Sequence, residues 1–160
     1  MSAATSLSLL RDPAALVATW FGVGLLPGPK GTWGTLAALP LAALILHLFG
    51  NVGLLAASLA LFGAGLWAAA GFTARHGGED RQEIVIDEVA GVCLALSVAS
   101  LSLVHFAIGF ALFRLFDGKK PWPVSWGEER RGAMGVMADD MIAGALSACF
   151  LAMLVIAGVK

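Results

Sequence analysis

Residues 31–74 read GTWGTLAALPLAALILHLFGNVGLLAASLALFGAGLWAAAGFTA, a stretch of 44 residues without a single charged side chain. A helix that crosses the hydrocarbon of a bilayer needs about 20 apolar residues, so this stretch has room for two helical segments. The tripeptide Phe-Gly-Asn at 49–51 is its most evident turn, because glycine and asparagine interrupt helices. We therefore predict a helical hairpin with arms near 35–49 and 52–74.

The composition of the whole chain agrees with this stretch. Hydrophobic residues make up 59% of the 160 residues and charged residues only 13%, where ~25% is usual in soluble domains. A soluble chain this small cannot hide so much apolar material from water, so we expect lipid to surround much of it. The net charge of −1 argues against a nucleic-acid partner, and the presence of 2 cysteines argues against a disulfide scaffold.

Three further charge-free stretches cover residues 13–29, 89–113 and 141–159. The first is rich in proline and glycine, which predicts a short helix followed by an irregular loop at the membrane. The last has the length of one membrane crossing. Since no linker or repeat divides the chain, we predict a single domain over 1–160. Its predicted fold class is an all-α, membrane-embedded bundle with short or re-entrant helices.

Two adjacent acidic pairs, Asp87-Glu88 and Asp139-Asp140, lie in otherwise apolar runs. Ionisable side chains at membrane depth are costly, and they usually face a partner or a wet cavity that serves function. The alternative is that these acids only mark helix starts, where the helix dipole favours negative charge. This alternative suits Asp139 and Asp140, which precede a long apolar stretch, better than it suits Asp87 and Glu88, which follow three β-branched residues.

A fifth carboxylate, Asp117, lies in the run FRLFDGKKPWP at 113–123. Oxygen ligands without a neighbouring Cys or His indicate a hard cation. Mg²⁺ is the first choice, because it binds one or two carboxylates and keeps its other positions for water and substrate phosphate. The predicted catalytic and metal-binding residues are Asp87, Glu88, Asp117, Asp139 and Asp140.

The chain also has basic residues between its apolar stretches, namely Lys30, Arg114, Lys119, Lys120, Arg130 and Arg131. Lys and Arg beside a divalent metal suit phosphate-ester chemistry, because negative charge builds up on the phosphoryl oxygens. The alternative is the positive-inside rule, under which Lys and Arg are enriched in cytoplasmic loops and take no part in catalysis. That alternative is favoured for Arg130 and Arg131, and both readings stay open for Lys120.

The segment GPKGTWGT at 28–35 is the second candidate for phosphate binding. Its glycines would let backbone N–H groups approach an anion, and a helix starting near Thr35 would add its positive dipole end. A plain membrane turn would have the same features. The predicted phosphate-binding residues are Lys30, Thr32, Thr35, Arg114 and Lys120.

Five ordered motifs resemble phosphatidylglycerophosphatase A, a bacterial lipid phosphatase family. They are FGxGL at 21–25, GTxGTLAA at 31–38, IVxDExxG at 84–91, FRxxDxxKPWP at 113–123 and GxMxDDxxAG at 135–144. The resemblance implies a Mg²⁺-dependent enzyme that removes the terminal phosphate of phosphatidylglycerophosphate and leaves phosphatidylglycerol. The chain departs from the family pattern at Lys30, where the family usually has proline.

The resemblance also implies a place in phospholipid biosynthesis and in the bacterial inner membrane, where the partners are the bilayer and its lipid. Two charged patches, at 75–88 and 114–131, both contain basic residues. Because basic residues are enriched on the cytoplasmic side, we expect the multi-pass chain to have its acidic pairs at the cytoplasmic face. Assembly into a homo-oligomer is left open. A different class of function, a small divalent-cation carrier or channel subunit, would need acids spread through the depth of the membrane, and the middle of each apolar stretch has none.

If all five carboxylates belong to one site, residues 89–113 must begin and end on the same side of the membrane. A straight crossing would place Asp87 and Asp117 about 30 Å apart, on opposite faces of the membrane. Folded near 97–102, each arm of about 12 residues would reach about 18 Å at 1.5 Å per residue. We therefore expect a half-depth helical hairpin whose bend packs inside the bundle.

Overall fold

The computed structural model of the protein describes residues 11–77, 82–128 and 132–159. Within these ranges the chain forms helices and no strand, which confirms the predicted all-α class. The α-helices are α1 (Pro13–Ala18), α2 (Lys30–His76), α3 (Ile86–Leu96), α4 (Leu103–Lys119), α5 (Val124–Glu128) and α6 (Gly132–Ile156). A short 3-10 helix, Val23–Leu25, lies between α1 and α2.

The start of α1 is fixed by Asp12, whose carboxylate accepts a hydrogen bond from the Ala14 backbone N–H at 3.1 Å. Pro13 follows as the first helical residue, where its missing N–H costs nothing. The same carboxylate accepts a hydrogen bond from Arg75 at the end of α2, at 2.5 Å. The predicted short helix followed by irregular chain is thus present, and it is tied to the end of the long hairpin.

The long helix α2 consists of two arms joined at Gly50, whose φ of 66° and ψ of −167° are not helical. Glycine adopts a positive φ without the penalty that a Cβ brings. Gly34 in the first arm packs against Val85, and Gly65 in the second arm approaches Ile86. Both arms therefore return to the same end of the bundle, which confirms the predicted hairpin.

Helices α3 and α4 form a second hairpin with its bend at 97–102. The amide of Asn51 donates hydrogen bonds to the carbonyl oxygens of Ser97 and Ala99, at 2.9 and 2.8 Å. At the start of α4, His105 Nε2 donates to the carbonyl of Val159 at 2.8 Å. The bend therefore lies at the end of the bundle where α2 turns and where α6 has ended.

The lengths of the two arms agree only in part with the expected 12 residues each. Helix α3 has 11 residues and α4 has 17, about 16 and 25 Å at 1.5 Å per residue. The bend is less enclosed than expected, because Ser97 and Ala99 are buried but Ser100 and Leu101 are exposed. The hairpin itself is confirmed and the full enclosure of its bend was predicted wrongly, while its half-depth position in a membrane stays a prediction.

The core of the bundle is made of apolar side chains from α2, α3, α4 and α6, including the fully buried Leu54, Phe72, Ile86, Phe113 and Met137. Helices α2 and α6 are long and apolar enough to cross a membrane. The predicted crossing at 141–159 thus overlaps a helix that begins earlier, at Gly132, and ends at Ile156. This earlier start matters for the acidic pair near its first turns.

Candidate active site

A cavity of about 330 Å³ opens at the end of the bundle where α2 begins. Side chains from α2, α3, α4 and α6 line it, together with Lys120 just after α4. Eight of the ten predicted site residues lie on its wall: Lys30, Asp87, Glu88, Arg114, Asp117, Lys120, Asp139 and Asp140. Residues that are far apart in the sequence therefore meet in one place.

Three of the five carboxylates form a tight cluster. Asp87, Glu88 and Asp140 each offer an oxygen, and these oxygens all lie within 4.8 Å of one another. Glu88 Oε2 is buried and has no hydrogen-bond partner within the part of the chain that the structure describes. A buried acceptor without a partner is costly, so this cluster is suited to a bound cation.

The cluster exists because α3 and α6 approach each other closely. A Cβ at Gly144 would overlap the Gly91 carbonyl group, and a Cβ at Gly91 would lie 2.6 Å from the Asp140 carbonyl oxygen. Gly91 follows Asp87 by four residues, and Gly144 follows Asp140 by four residues. Since residues four apart share a helix face, the glycine contact brings the two acidic residues to the same side.

The structure reverses the sequence-based view of which acids begin a helix. Asp87 and Glu88 lie in the first turn of α3, where the helix dipole favours them. Asp139 and Asp140 lie two turns inside α6 and are buried, 8% and 4% exposed. The helix-start alternative is therefore wrong for Asp139 and Asp140, because α6 begins at Gly132 and not after the acidic pair.

The remaining two carboxylates are paired with cations on the cavity wall. Arg114 Nη1 donates to Asp117 Oδ2 at 2.6 Å, and Lys120 Nζ donates to Asp139 Oδ2 at 3.0 Å. Asp139 Oδ1 is buried and has no hydrogen-bond partner within the described ranges. Three acids thus face one another, while two others hold the basic side chains beside them.

Lys30 enters the cavity from the first residue of α2, and its Nζ donates to Glu83 Oε1 at 3.0 Å. Lys120 is brought to the cavity by a left-handed backbone, with φ 43°, that ends α4. Lys120 therefore lies on the cavity wall, and its binding of phosphate stays a prediction. Arg130 and Arg131 lie outside the described residues.

The two predicted threonines do not reach the cavity wall. The Thr35 hydroxyl is buried and donates to the Gly31 carbonyl oxygen at 2.7 Å. Thr32 is half-buried and is not among the lining residues. The expected helix start near Thr35 is wrong, because α2 begins at Lys30 and its first turn already forms part of the wall.

Gly31 is a site residue that the sequence reasoning did not single out. A Cβ at this position would overlap Glu88 Oε1 and would lie 3.1 Å from Arg114 Nη1. A side chain at position 31 would displace the ends of the Glu88 and Arg114 side chains from their places on the cavity wall. Its place in the glycine-rich segment beside Lys30 was the signal that could have found it.

Burial governs the charge state of the acids at the start of α3. Removal from water raises the pKa of Asp87 well above its usual range, and the neighbouring carboxylates of Glu88 and Asp140 raise it further. Burial also raises the pKa of Glu88, although Asp87 and Arg114 partly oppose this shift. A cation between such carboxylates favours their charged forms and reverses the direction of these shifts.

The arrangement combines two chemical capacities. The acidic cluster offers hard oxygen ligands of the kind that Mg²⁺ prefers. Lys30, Arg114 and Lys120 offer N–H donors for the oxygens of an anion. A cavity that can hold a divalent cation beside a phosphate group is the kind of site that cleaves phosphate esters.

Comparison with known proteins agrees with this chemistry. The sequence profile of the family described as phosphatidylglycerophosphatase A matches residues 16–155. Phosphatidylglycerophosphatase A of Haemophilus influenzae is 38% identical over 136 residues, which cover 84% of this chain and 83% of the relative. Phosphatidylglycerophosphatase A of Escherichia coli is 35% identical over 144 residues, which cover 89% of this chain and 83% of the relative.

A third relative, from Bacteroides thetaiotaomicron, bears the name "Putative phosphatidylinositol-3-phosphatase" and is 38% identical over 144 residues, which cover 86% of this chain and 90% of the relative. No solved structure is significantly similar to this chain. The matched family profile covers all five carboxylates and all the cations on the cavity wall. The chain therefore belongs to the phosphatidylglycerophosphatase A family and is a phosphatase.

Proposed function

We propose that this protein is a Mg²⁺-dependent phosphomonoesterase that hydrolyses phosphatidylglycerophosphate to phosphatidylglycerol and phosphate. The observation that carries the proposal is the cluster of Asp87, Glu88 and Asp140 beside Arg114 and Lys120 in one cavity. The substrate is inferred from the two relatives named phosphatidylglycerophosphatase A, which match most of this chain.

The carboxylate geometry supports Mg²⁺ as the cofactor. Octahedral Mg²⁺ binds oxygens at ~2.0–2.1 Å, so adjacent ligands stand about 2.9 Å apart and opposite ligands about 4.2 Å apart. The oxygens of Asp87, Glu88 and Asp140 lie within 4.8 Å of one another, and side-chain movements of about 2 Å or less would bring them to these spacings. When bound there, the ion would polarise a phosphoryl oxygen and lower the pKa of a nearby water.

The basic side chains would bind the phosphoryl oxygens of the substrate. Arg114 and Lys120 each donate to a carboxylate on the cavity wall, at 2.6 and 3.0 Å. Guanidinium and ammonium groups have several N–H donors, so each cation can bind a phosphate oxygen while it keeps its carboxylate. Charge-assisted hydrogen bonds of this kind are stronger than neutral ones. Their donors would stabilise the negative charge that builds up as the phosphorus–oxygen bond breaks.

We propose direct attack by water, with Asp139 as the group that orients it. Asp139 Oδ1 is buried without a hydrogen-bond partner in the described ranges, while its Oδ2 is held by Lys120. The free oxygen can accept a proton from water as the water oxygen bonds to phosphorus. The bond from phosphorus to the glycerol oxygen breaks in the same step, that oxygen takes up a proton from solvent water, and Asp139 returns its proton to solvent when phosphate leaves.

The proposed setting is the bacterial inner membrane, with several passes and the cavity at the cytoplasmic face. In the most apolar part of α2 only 17% of the residues are buried by protein, so lipid is the natural cover for the rest. A cavity at the end of the bundle would let the phosphates of the lipid reach the site while its acyl chains stay in the bilayer.

The experiment that tests the function is phosphate release from phosphatidylglycerophosphate in detergent micelles, with phosphatidylinositol 3-phosphate as the comparison lipid. We expect the first lipid to be cleaved faster, and Asp140→Asn to abolish release from both. Faster release from the inositol lipid would overturn the proposed substrate. Divalent-ion flux in proteoliposomes without any hydrolysis would instead support the carrier function.

A further inference from the structure

A second concave surface lies on the same pair of helices as the cavity. It is an apolar groove of about 490 Å³ between the first arm of α2 and the start of α4. Its lining is almost wholly hydrophobic and includes Leu36, Leu39, Ala43, Leu101, Leu103 and Phe106. Leu36, Leu101 and Leu103 are 40%, 57% and 86% exposed, so the protein itself does not fill this groove.

On α2, one face leads from the cavity to the groove. Thr32, Leu36, Leu39 and Ala43 follow one another at steps of four, three and four residues, the spacing of a single helix face. Thr32 comes directly after Gly31, the last α2 residue on the cavity wall. The predicted phosphate-binding residue Thr32 therefore stands at the junction between the polar cavity and the apolar groove.

On α4, a second face leads to the same two places. Phe106, Phe110 and Arg114 are spaced by four residues, which places them on one side of the helix. Phe106 lines the groove and Arg114 lines the cavity. The two helices are close at the cavity end, where a Cβ at Gly31 would lie 3.1 Å from Arg114 Nη1.

The position of the groove fits the length of a lipid chain. Leu36 lies six residues after Lys30 and Ala43 lies thirteen residues after it, which is about 9 and 20 Å along the helix. One leaflet of a bilayer has a hydrocarbon depth of about 15 Å. A chain that leaves a headgroup bound at the cavity would therefore pass along the groove.

We propose that this groove binds an acyl chain of the lipid whose phosphate occupies the cavity. The proposal rests on the proposed function, because it takes the substrate to be a phosphate monoester on a diacyl lipid. It assigns Leu36, Leu39, Ala43 and Phe106 to substrate binding and makes the α2–α4 cleft one continuous lipid site. A bulk lipid that merely coats an apolar surface would have no such link to the headgroup.

The test compares long-chain and short-chain substrate in a variant with a filled groove. Ala43→Trp should lower kcat/KM for the dipalmitoyl substrate by roughly tenfold, since two displaced methylenes at ~0.8 kcal/mol each amount to about that factor. With the dihexanoyl substrate, whose chains are too short to reach Ala43, kcat/KM should stay within about twofold. The matched control is Leu44→Trp, because Leu44 is the next residue, is 54% exposed and does not line the groove.

Equal losses with both substrates, or no loss with either, would overturn the groove assignment.

A second experiment, photolabelling by bound lipid, separates failure of the groove assignment from failure of the proposed function. A phosphatidylglycerophosphate with a diazirine near the middle of one acyl chain should label 36–43 and 101–106 in Asp140→Asn protein. We expect this variant to bind the phosphate without turnover, because it keeps the cavity cations Lys30, Arg114 and Lys120. A diacylglycerol with the same diazirine should label these segments no more than the rest of the apolar surface. If both probes label them equally, the groove holds bulk lipid; if labelling depends on the headgroup but wild type releases no phosphate, only the proposed reaction fails.

Discussion

Gly144 of α6 lies against the carbonyl group of Gly91 in α3, so the two helices touch through their backbones. Each glycine stands four residues after an acid of the cluster, Asp87 or Asp140. This contact sets the distance between the two sides of the acidic cluster. It also explains why the site depends on residues that carry no functional group.

Gly144→Ala should therefore separate α3 from α6. The added Cβ would overlap the Gly91 carbonyl, and forced overpacking of this kind costs about 1–3 kcal/mol of unfolding free energy. Phosphate release should fall along with thermal stability in detergent. The control is Gly63→Ala in α2, where a Cβ would meet nothing within 4 Å and where alanine favours the helix. Loss of activity in the control as large as in Gly144→Ala would contradict this explanation.

Lys120→Asn should remove a phosphate-binding cation without disturbing the end of α4. Lys120 has φ 43°, and asparagine tolerates this left-handed conformation better than most residues. We expect kcat/KM to fall by about 10²-fold, as when one donor to a developing negative charge is removed. The melting temperature should also fall, because the buried Asp139 carboxylate loses its partner at 3.0 Å, so kcat/KM is measured at a temperature at which the variant is folded. Lys119→Asn changes the exposed neighbour and should retain activity. Equal activity of the two variants would rule out phosphate binding by Lys120.

Asn51→Ala should destabilise the protein without touching the cavity. The Asn51 amide satisfies two carbonyl groups of the α3–α4 bend, at Ser97 and Ala99. Leaving buried carbonyl groups without a donor costs about 1–3 kcal/mol each. Thermal unfolding in detergent should show the loss, while kcat of the folded fraction stays unchanged. Val52→Ala at a position that is 79% exposed is the control, and a stability loss of the same size there would contradict the role of the amide.

Cysteine labelling should show the cavity and the α2 turn on opposite sides of the membrane. In a Cys93→Ala, Cys149→Ala background, an impermeant maleimide should react with Lys119→Cys only from the cytoplasmic side and with Val52→Cys only from the other side. Both positions are exposed, and Gly50 ends the first arm of α2 twenty residues after Lys30, about 30 Å along the helix. Labelling of both cysteines from one side would contradict the proposed topology.

The helices, the long hairpin and most of the charged site residues could be predicted from the sequence, because they depend on composition and local pattern. The scarcity of charge located the apolar helices, and Gly50 marked the turn of the long hairpin, because only local conformation is needed there. The five carboxylates stood out because an ionisable side chain within an apolar run is energetically costly and usually serves function. Arg114 and Lys120 were found beside Asp117 in the chain, and Lys30 was found in the glycine-rich segment at 28–35.

The rest depended on contacts between distant segments. Asn51 looks like a turn residue until its amide is seen to bind the α3–α4 bend, 46 residues away. Gly31 matters only because Glu88 lies beside it in space. The extra turns at the start of α6 put Asp139 and Asp140 inside the helix, and no residue near 139 signals that start. Pairing of Lys120 with Asp139 is likewise a tertiary contact.

Metal depletion is the most direct test of whether Asp87, Glu88 and Asp140 bind Mg²⁺ for phosphomonoester hydrolysis. Wild-type protein is stripped with EDTA, Mg²⁺ is added back stepwise, and phosphate release from phosphatidylglycerophosphate is followed beside Asp140→Asn. We predict that EDTA abolishes release, that Mg²⁺ restores it in a saturable manner, and that Asp140→Asn stays inactive while it remains folded. Phosphate release at the untreated rate in EDTA, or by the Asp140→Asn variant, would show that hydrolysis does not depend on Mg²⁺ bound by these carboxylates.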